Sequence, residues 1–220
     1  MEEFLSAVKK LKWGDTVLVQ YPSHFLSEYL FLTIYKYAEG AGIPVWVDDV
    51  LDSLYSIKKR LELGGIDTSF FERIYVGKIG GRRNVGNVLG QIPFAHEGRI
   101  LVENYKKILE QSTKKLPKRI DISLGMDELF LLWNNQTEII GFIKELSTFV
   151  GEKNRTAYYL INKDALYHAV VNPLPLMHQM ASVVLDLKPM GTKAEVNILK
   201  ASNLELLGRK FEIKIEDILR

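Results

Sequence analysis

Short apolar runs rich in β-branched residues alternate with amphipathic stretches of helical period through the first three quarters of the chain. No other feature constrains the fold as strongly. Residues 16–20, 44–47, 73–76, 119–124 and 156–161 read as strands. Residues 2–11, 23–39, 51–63, 96–111 and 137–150, with a short segment at 173–180, read as helices, two of them stopped by Gly40 and Gly42 and by Gly64 and Gly65. Repeated β-α units imply a mainly parallel sheet with helices on both faces, a three-layer αβα member of the α/β class. Beyond residue 183 the pattern changes. Segments 183–187, 195–199 and 211–215 look like strands joined by turns, which would add an antiparallel edge. The glycine-rich stretch 77–98 shows no period and is expected to be a long loop. No repeat, low-complexity tract or linker divides residues 1–220, so one domain is expected.

Composition narrows the chemistry. The absence of cysteine removes disulfides, thiolate zinc sites and a cysteine nucleophile. Basic and acidic side chains number 29 and 27, a net charge of +2, too even for a protein whose affinity comes from neutralising nucleic-acid phosphates. The start, Met1-Glu2-Glu3-Phe4, has no signal-peptide character, and the most apolar stretch, 29–35, ends at Lys36, far short of the ~20 residues that span a bilayer. A cytoplasmic protein is expected, and the abundance of Lys, Glu and Ile with little Gln points to a thermophilic source.

Trp13-Gly14-Asp15-Thr16-Val17-Leu18-Val19 resembles the entry into the first core strand of RecA-superfamily proteins, most of all the archaeal KaiC-like and RadA-like branch. Gly65-Ile66-Asp67 resembles the Gly-hydrophobic-Asp signature of KaiC-like chains. Ser182-Val183-Val184-Leu185-Asp186-Leu187 and Val196-Asn197-Ile198-Leu199-Lys200 look like that branch's closing strands. The similarity also extends to a small family of unknown function from Thermococcales, grouped with P-loop folds. It lies in pattern and spacing over nearly the whole chain.

The resemblance implies a phosphate-binding loop directly after the first strand, and there the chain departs from the pattern. A working loop reads G-x-x-x-x-G-K-[ST]: glycines turn backbone N–H groups onto the phosphates, the lysine neutralises them, and the hydroxyl ligates Mg²⁺. The residues here are Tyr21, Pro22, Ser23, His24, Phe25, Leu26, Ser27 and Glu28. Tyr21 and Leu26 stand for the glycines, Ser27 for the lysine and Glu28 for the hydroxyl residue. A shifted register does not help, because no glycine lies between Gly14 and Gly40 and no Lys or Arg between Lys12 and Lys36. Ser23 is expected to cap the following helix, and Glu28 to occupy the position of the anion.

Acidic residues remain where relatives place catalytic or metal-positioning carboxylates. Asp48 and Asp49 follow the second strand and are expected to cap the turn into the next helix; Asp127, with Glu128, lies just past the fourth. Lys78, Arg82 and Arg83, in the Lys78-Ile79-Gly80-Gly81-Arg82-Arg83 stretch, form the most basic exposed segment and could hold an anion or a partner. Trp133 is open to two readings, a partner anchor or a core residue, and the aromatics of the first long helix are expected to pack. Asp164 and His168 share an i,i+4 spacing, but two ligands do not make a metal site.

These features lead to an expectation of a non-catalytic RecA/KaiC-like domain that works through a protein partner or a homo-oligomer. It would have no cofactor, no bound metal, no ATP, no nucleic acid and no membrane. The alternatives are a nucleotide sensor or ATPase with a non-standard phosphate site, built from Asp48, Asp49 and the arginine loop, and a recombinase-paralogue-like DNA accessory.

Overall fold

Residues 7–219 are described by the computed structural model, so the expected helix over 2–11 falls largely outside the described residues, and only 7–9 are seen as helical. Nine strands among them join one sheet: β1 (Thr16–Tyr21), β2 (Val45–Val50), β3 (Tyr75–Ile79), β4 (Asn87–Ile92), β5 (Arg119–Leu124), β6 (Arg155–Asn162), β7 (Val183–Met190), β8 (Lys193–Lys200) and β9 (Lys210–Lys214). Their order is β4-β3-β2-β5-β6-β1-β7-β8-β9. Every pairing from β4 to β7 is parallel, and β8 and β9 add antiparallel pairings at one edge. The mainly parallel sheet with an antiparallel C-terminal edge is therefore present.

Both faces of the sheet are covered, which explains why the central strands are apolar at successive positions rather than at alternate ones. On one face lie α1 (Ser27–Gly40) and α2 (Ser53–Leu63), whose Leu30, Phe31, Ile34, Leu54, Ile57 and Leu61 pack on Val17, Val47, Ile122 and Leu160. On the other lie α3 (Gly98–Lys115), α4 (Met126–Leu132), α5 (Gln136–Ser147) and α6 (Leu174–Met180). Their Leu101, Ile108, Phe130 and Phe142 pack on Leu18, Trp46, Ala157 and Ile161. Each fully buried side chain of this size contributes about 1.5–3 kcal/mol. A short α7 (Ile215–Leu219) follows β9.

Several boundaries differ from expectation, each for a physical reason. Residues 77–98 are not a loop: they complete β3 and supply β4, which pairs with β3 in parallel and lies against α3. Its Asn87, Gly90 and Gln91 carry little strand signal, and Gly90 is required because Ile108 would lie 2.9 Å from an added Cβ. The second strand runs on through Val50, so Asp48 and Asp49 lie inside it instead of after it. Helix α1 begins at Ser27, four residues later than expected. Ser23 is not its cap; Leu26 holds that position and no side chain caps the helix. Trp133 is buried, its indole N–H donating to the Ala95 carbonyl at 3.0 Å, so it is a core residue and not an exposed anchor.

Candidate functional site at the carboxyl ends of the strands

The segment after β1 turns tightly, Phe25 N–H donating to the Pro22 carbonyl at 2.9 Å, and then enters α1. Two bonds hold its crest against the end of β6. The Ser23 N–H donates to Asp164 Oδ2 at 2.8 Å, and the Ser23 hydroxyl donates to Asn162 Oδ1 at 3.1 Å. A backbone N–H of the kind that a phosphate loop turns onto its ligand is thus already occupied by a carboxylate of the same chain.

The first turn of α1 is occupied in a similar way. Glu28 is buried, and Arg60 in the last turn of α2 donates to it from Nε at 2.9 Å. The carboxylate lies near the helix N-terminus, where the aligned peptide dipoles favour negative charge. Arg60 also reaches Ser27 Oγ at 3.4 Å. The chain segment offers no cation of its own here, so the sequence alone could not show that Arg60 arrives from the next helix.

A cleft of about 420 Å³ opens beside this pair, bordered by Tyr21, His24, Ser53, Arg60, Asp127 and Asn162. It lies outside the carboxyl ends of parallel strands, where α/β sheets commonly take ligands. Three carboxyl groups border it, those of Glu28, Asp127 and Glu128, against the single guanidinium of Arg60, which is paired with Glu28. Burial raises Asp127 to about 7; its own N–H and that of Asn162 hold the charged form down in energy, and Glu128 opposes them. Glu128 is raised by burial and then by Asp49. Tyr21, packed against Phe25 at 5.5 Å, is also raised, by burial first and the charge of Asp127 second. On the far side of the loop, His24, Phe25 and Leu26 border a smaller apolar pocket of about 190 Å³.

Asp48 and Asp49, both expected to cap the turn into the next helix, part company in the structure. Successive side chains of a strand point to opposite faces, so Asp49 meets α2 while Asp48 meets α3. Asp49 Oδ1 accepts from the Leu54 N–H at 2.9 Å and does tie down the start of α2. Asp48 caps nothing: Trp46 Nε1 donates to it at 2.6 Å, and so does the Tyr105 hydroxyl. Burial, then the neighbouring charge of Asp121, raises Asp48 to about 6. Asp127 stands apart from both, in the cleft.

Lys78 is not part of an exposed basic loop. It is fully buried on β3 and donates to Asp49 Oδ2 at 3.0 Å, Asp52 Oδ1 at 2.5 Å and the Arg83 carbonyl at 2.7 Å. Desolvation alone would lower its pKa, but the bonds to Asp52 and Asp49 outweigh it and the pKa is raised. Arg82 and Arg83 are exposed, yet the anion held by their loop is internal. Their backbone N–H groups donate to Asp52 at 2.8–3.0 Å. Gly81 has φ +70, and a Cβ there would lie 2.3 Å from Asp52 Oδ1, which is why this nest needs a glycine. The Arg83 guanidinium lies over the Tyr55 ring at 5.6 Å. Asp52, the residue that organises the cluster, was not singled out from sequence; its positive φ of 69 leaves no mark on the residue pattern.

Among the described residues no group of three or more His, Asp or Glu side chains is placed to hold a metal ion, and no helix is long and apolar enough to cross a membrane.

A family model described as "Pyrococcus protein of unknown function, DUF257" matches residues 6–212. A protein of Pyrococcus horikoshii OT3, solved in a structural study, is 27% identical with a TM-score of 0.78 and 96% of each chain covered. A KaiC-like protein of the same hyperthermophilic archaeon is 18% identical with a TM-score of 0.59, covering 90% of this chain and 84% of its own. That second likeness shows the fold, which is similar to a KaiC-like RecA fold. No curated protein matches the chain.

Proposed function

The chain belongs to the DUF257 family of Pyrococcus proteins of unknown function, and from that premise we propose that it is a RecA/KaiC-like domain that neither binds nor hydrolyses ATP. It acts through contacts with protein, as a homo-oligomer or a regulatory subunit. The Walker-type loop has degenerated into a structural turn, and residues 1–220 act as one domain in the cytoplasm.

One observation carries the reading. The two features that would receive a triphosphate, the crest of the loop and the first turn of α1, are both engaged by carboxylates of the chain itself, Asp164 on the Ser23 N–H and Glu28 beside Arg60. An incoming γ-phosphate would meet Glu128 and a Glu28 that already holds the one guanidinium bordering the cleft, that of Arg60. Two like unit charges ~4 Å apart repel by ~4 kcal/mol at an effective dielectric of ~20. The second reading, a nucleotide site built from Asp48, Asp49 and the arginine loop, has less support. Asp48 faces the other layer, and Asp49 and the loop are joined internally through Lys78 and Asp52.

Thermal denaturation with Mg-ATP or Mg-ADP titrated into the millimolar range tests the proposal. The expected result is an unchanged Tm. A ligand at about 100 times its Kd stabilises by ~2.7 kcal/mol, so a saturable rise of several degrees would overturn the reading.

A further inference from the structure

Three chain segments, 12–15, 114–118 and 151–154, meet at the amino ends of β1, β5 and β6, the end of the sheet opposite the cleft. The Gly14 N–H donates to the Arg155 carbonyl at 2.8 Å, the Gly151 N–H to the Gly14 carbonyl at 3.1 Å, and the Arg119 N–H to the Asn154 carbonyl at 3.0 Å. These bonds gather five exposed lysines, Lys12, Lys114, Lys115, Lys118 and Lys153. Among the described residues none of the five joins an ion pair. The acids of the same segments are engaged inside the fold. Asp15 is buried and accepts from the Lys12 N–H at 2.7 Å and from the Ser182 and Ser202 hydroxyls. Glu152 pairs with the buried Arg155 at 3.3 Å.

Lys114 and Lys115 close the last turn of α3, where a cation offsets the helix dipole. Lys12, Lys118 and Lys153 lie on no helix, so the dipole does not account for them. Like charges held together repel, and an anion brought to them relieves that cost.

We propose that this surface docks an acidic segment of a partner protein. The inference rests on the reading of the chain as a domain that works through protein contacts, and it names the partner's chemistry. Other polyanions fit less well. Nucleic-acid phosphates are gripped best by guanidinium forks. The two arginines that border these lysines, Arg119 and Arg155, are instead buried on Asp121 at 2.7 and 3.1 Å. Trp13, the aromatic ring within the segments, has Lys118 Nζ over it at 4.3 Å from the centroid, which closes that face to a stacking base. A membrane surface calls for apolar side chains that insert. Among the described residues, no large exposed hydrophobic side chain belongs to the three segments. Lysines on flexible stems, each a point charge with rotatable donors, suit carboxylates spaced along an irregular chain.

Fluorescence anisotropy of a fluorescein-labelled polyglutamate peptide titrated with the full chain tests this, with an oligothymidylate of equal charge and phosphatidylglycerol vesicles as comparisons. Saturable peptide binding is expected, weakened by salt and at least about 10-fold tighter than binding of the oligothymidylate. Lys118→Glu with Lys153→Glu, both exposed, is expected to weaken it by at least about 10-fold. Lys58→Glu with Lys59→Glu, on α2, leaves it unchanged. Trp46 and Trp133 are buried, so the change in tryptophan emission on binding is expected to vanish in Trp13→Phe. Absence of saturable binding, or equal binding by both double variants, overturns the acidic-partner surface. The protein-contact reading is tested separately by the Mg-ATP titration, whose outcome does not depend on these lysines. Tighter binding of the oligothymidylate overturns the proposal in favour of nucleic acid, and binding to the vesicles alone assigns the surface to a membrane.

Discussion

Lys78 on β3 and Asp49 on β2 form an ion pair of 3.0 Å between adjacent parallel strands, with both side chains shielded from solvent. Asp52 adds a second carboxylate to the same ammonium at 2.5 Å. Removing one partner of a buried pair strands the other. Lys78→Met is therefore expected to destabilise the fold by about 3–5 kcal/mol, and the double variant Lys78→Met with Asp49→Asn by clearly less. Urea denaturation measures both, and a single variant that costs under 1 kcal/mol would show that water reaches the carboxylates.

Asp127 gives the protein a pH dependence of definite sign. Its carboxyl titrates near 7 in the folded chain against an ordinary value of 3.8, so between those values the folded state holds a proton that the unfolded chain has lost. This contribution is fully present below about pH 4 and fades as pH rises through 7. Asp127→Asn is expected to raise stability at pH 8 by on the order of 4 kcal/mol and by far less at pH 4.5. Equal effects at both pH values would rule out a raised carboxyl here.

The buried Asp48 behaves in the same sense, with a midpoint of about 6 set by burial and by Asp121. Trp46 reports on it directly, because its indole N–H donates to that carboxylate. Tryptophan emission is expected to titrate near pH 6 and to lose this transition in Asp48→Asn. Tyr105→Phe removes a donor to the charged form, so its midpoint moves upward. A midpoint left at 6 would show that the hydroxyl does not stabilise the ionised carboxylate.

Gly125 stands at the turn from β5 into α4 with φ +77, and a Cβ there would lie 2.2 Å from Ser53 Oγ and 2.6 Å from the Val50 carbonyl. Gly125→Ala combines backbone strain with a collision in the cleft wall and is expected to cost on the order of 3 kcal/mol. Adding Ser53→Gly should recover part of the loss, while the backbone carbonyl keeps the rest. Thermal denaturation of the pair checks this, and full recovery would assign the whole effect to the serine.

The order of strands and helices was readable because buried parallel strands and two-faced helices each leave a local period. The resemblance implied a loop directly after β1, and the cleft opens beside that segment. What stayed hidden depends on contacts distant in sequence. Lys78 reads as a surface cation until Asp49 and Asp52 arrive from another segment. Arg60 joins Glu28 from 32 residues away, and Asp164 reaches Ser23 from 141. β4 escaped notice because edge position and helix cover, not side-chain type, make Asn87–Ile92 a strand.

The pairing of β1 has a consequence for synthesis on the ribosome. Thr16 is aligned with Ala157 and Val17 with Val183, and β1 borders no strand other than β6 and β7. The first strand to leave the exit tunnel therefore waits for more than half of the chain before either neighbour exists, about ten seconds or more at ordinary elongation rates. Until then β2, β3, β4 and β5 can assemble without it, and the apolar Val17, Leu18 and Val19 remain open to chaperones or to another nascent copy.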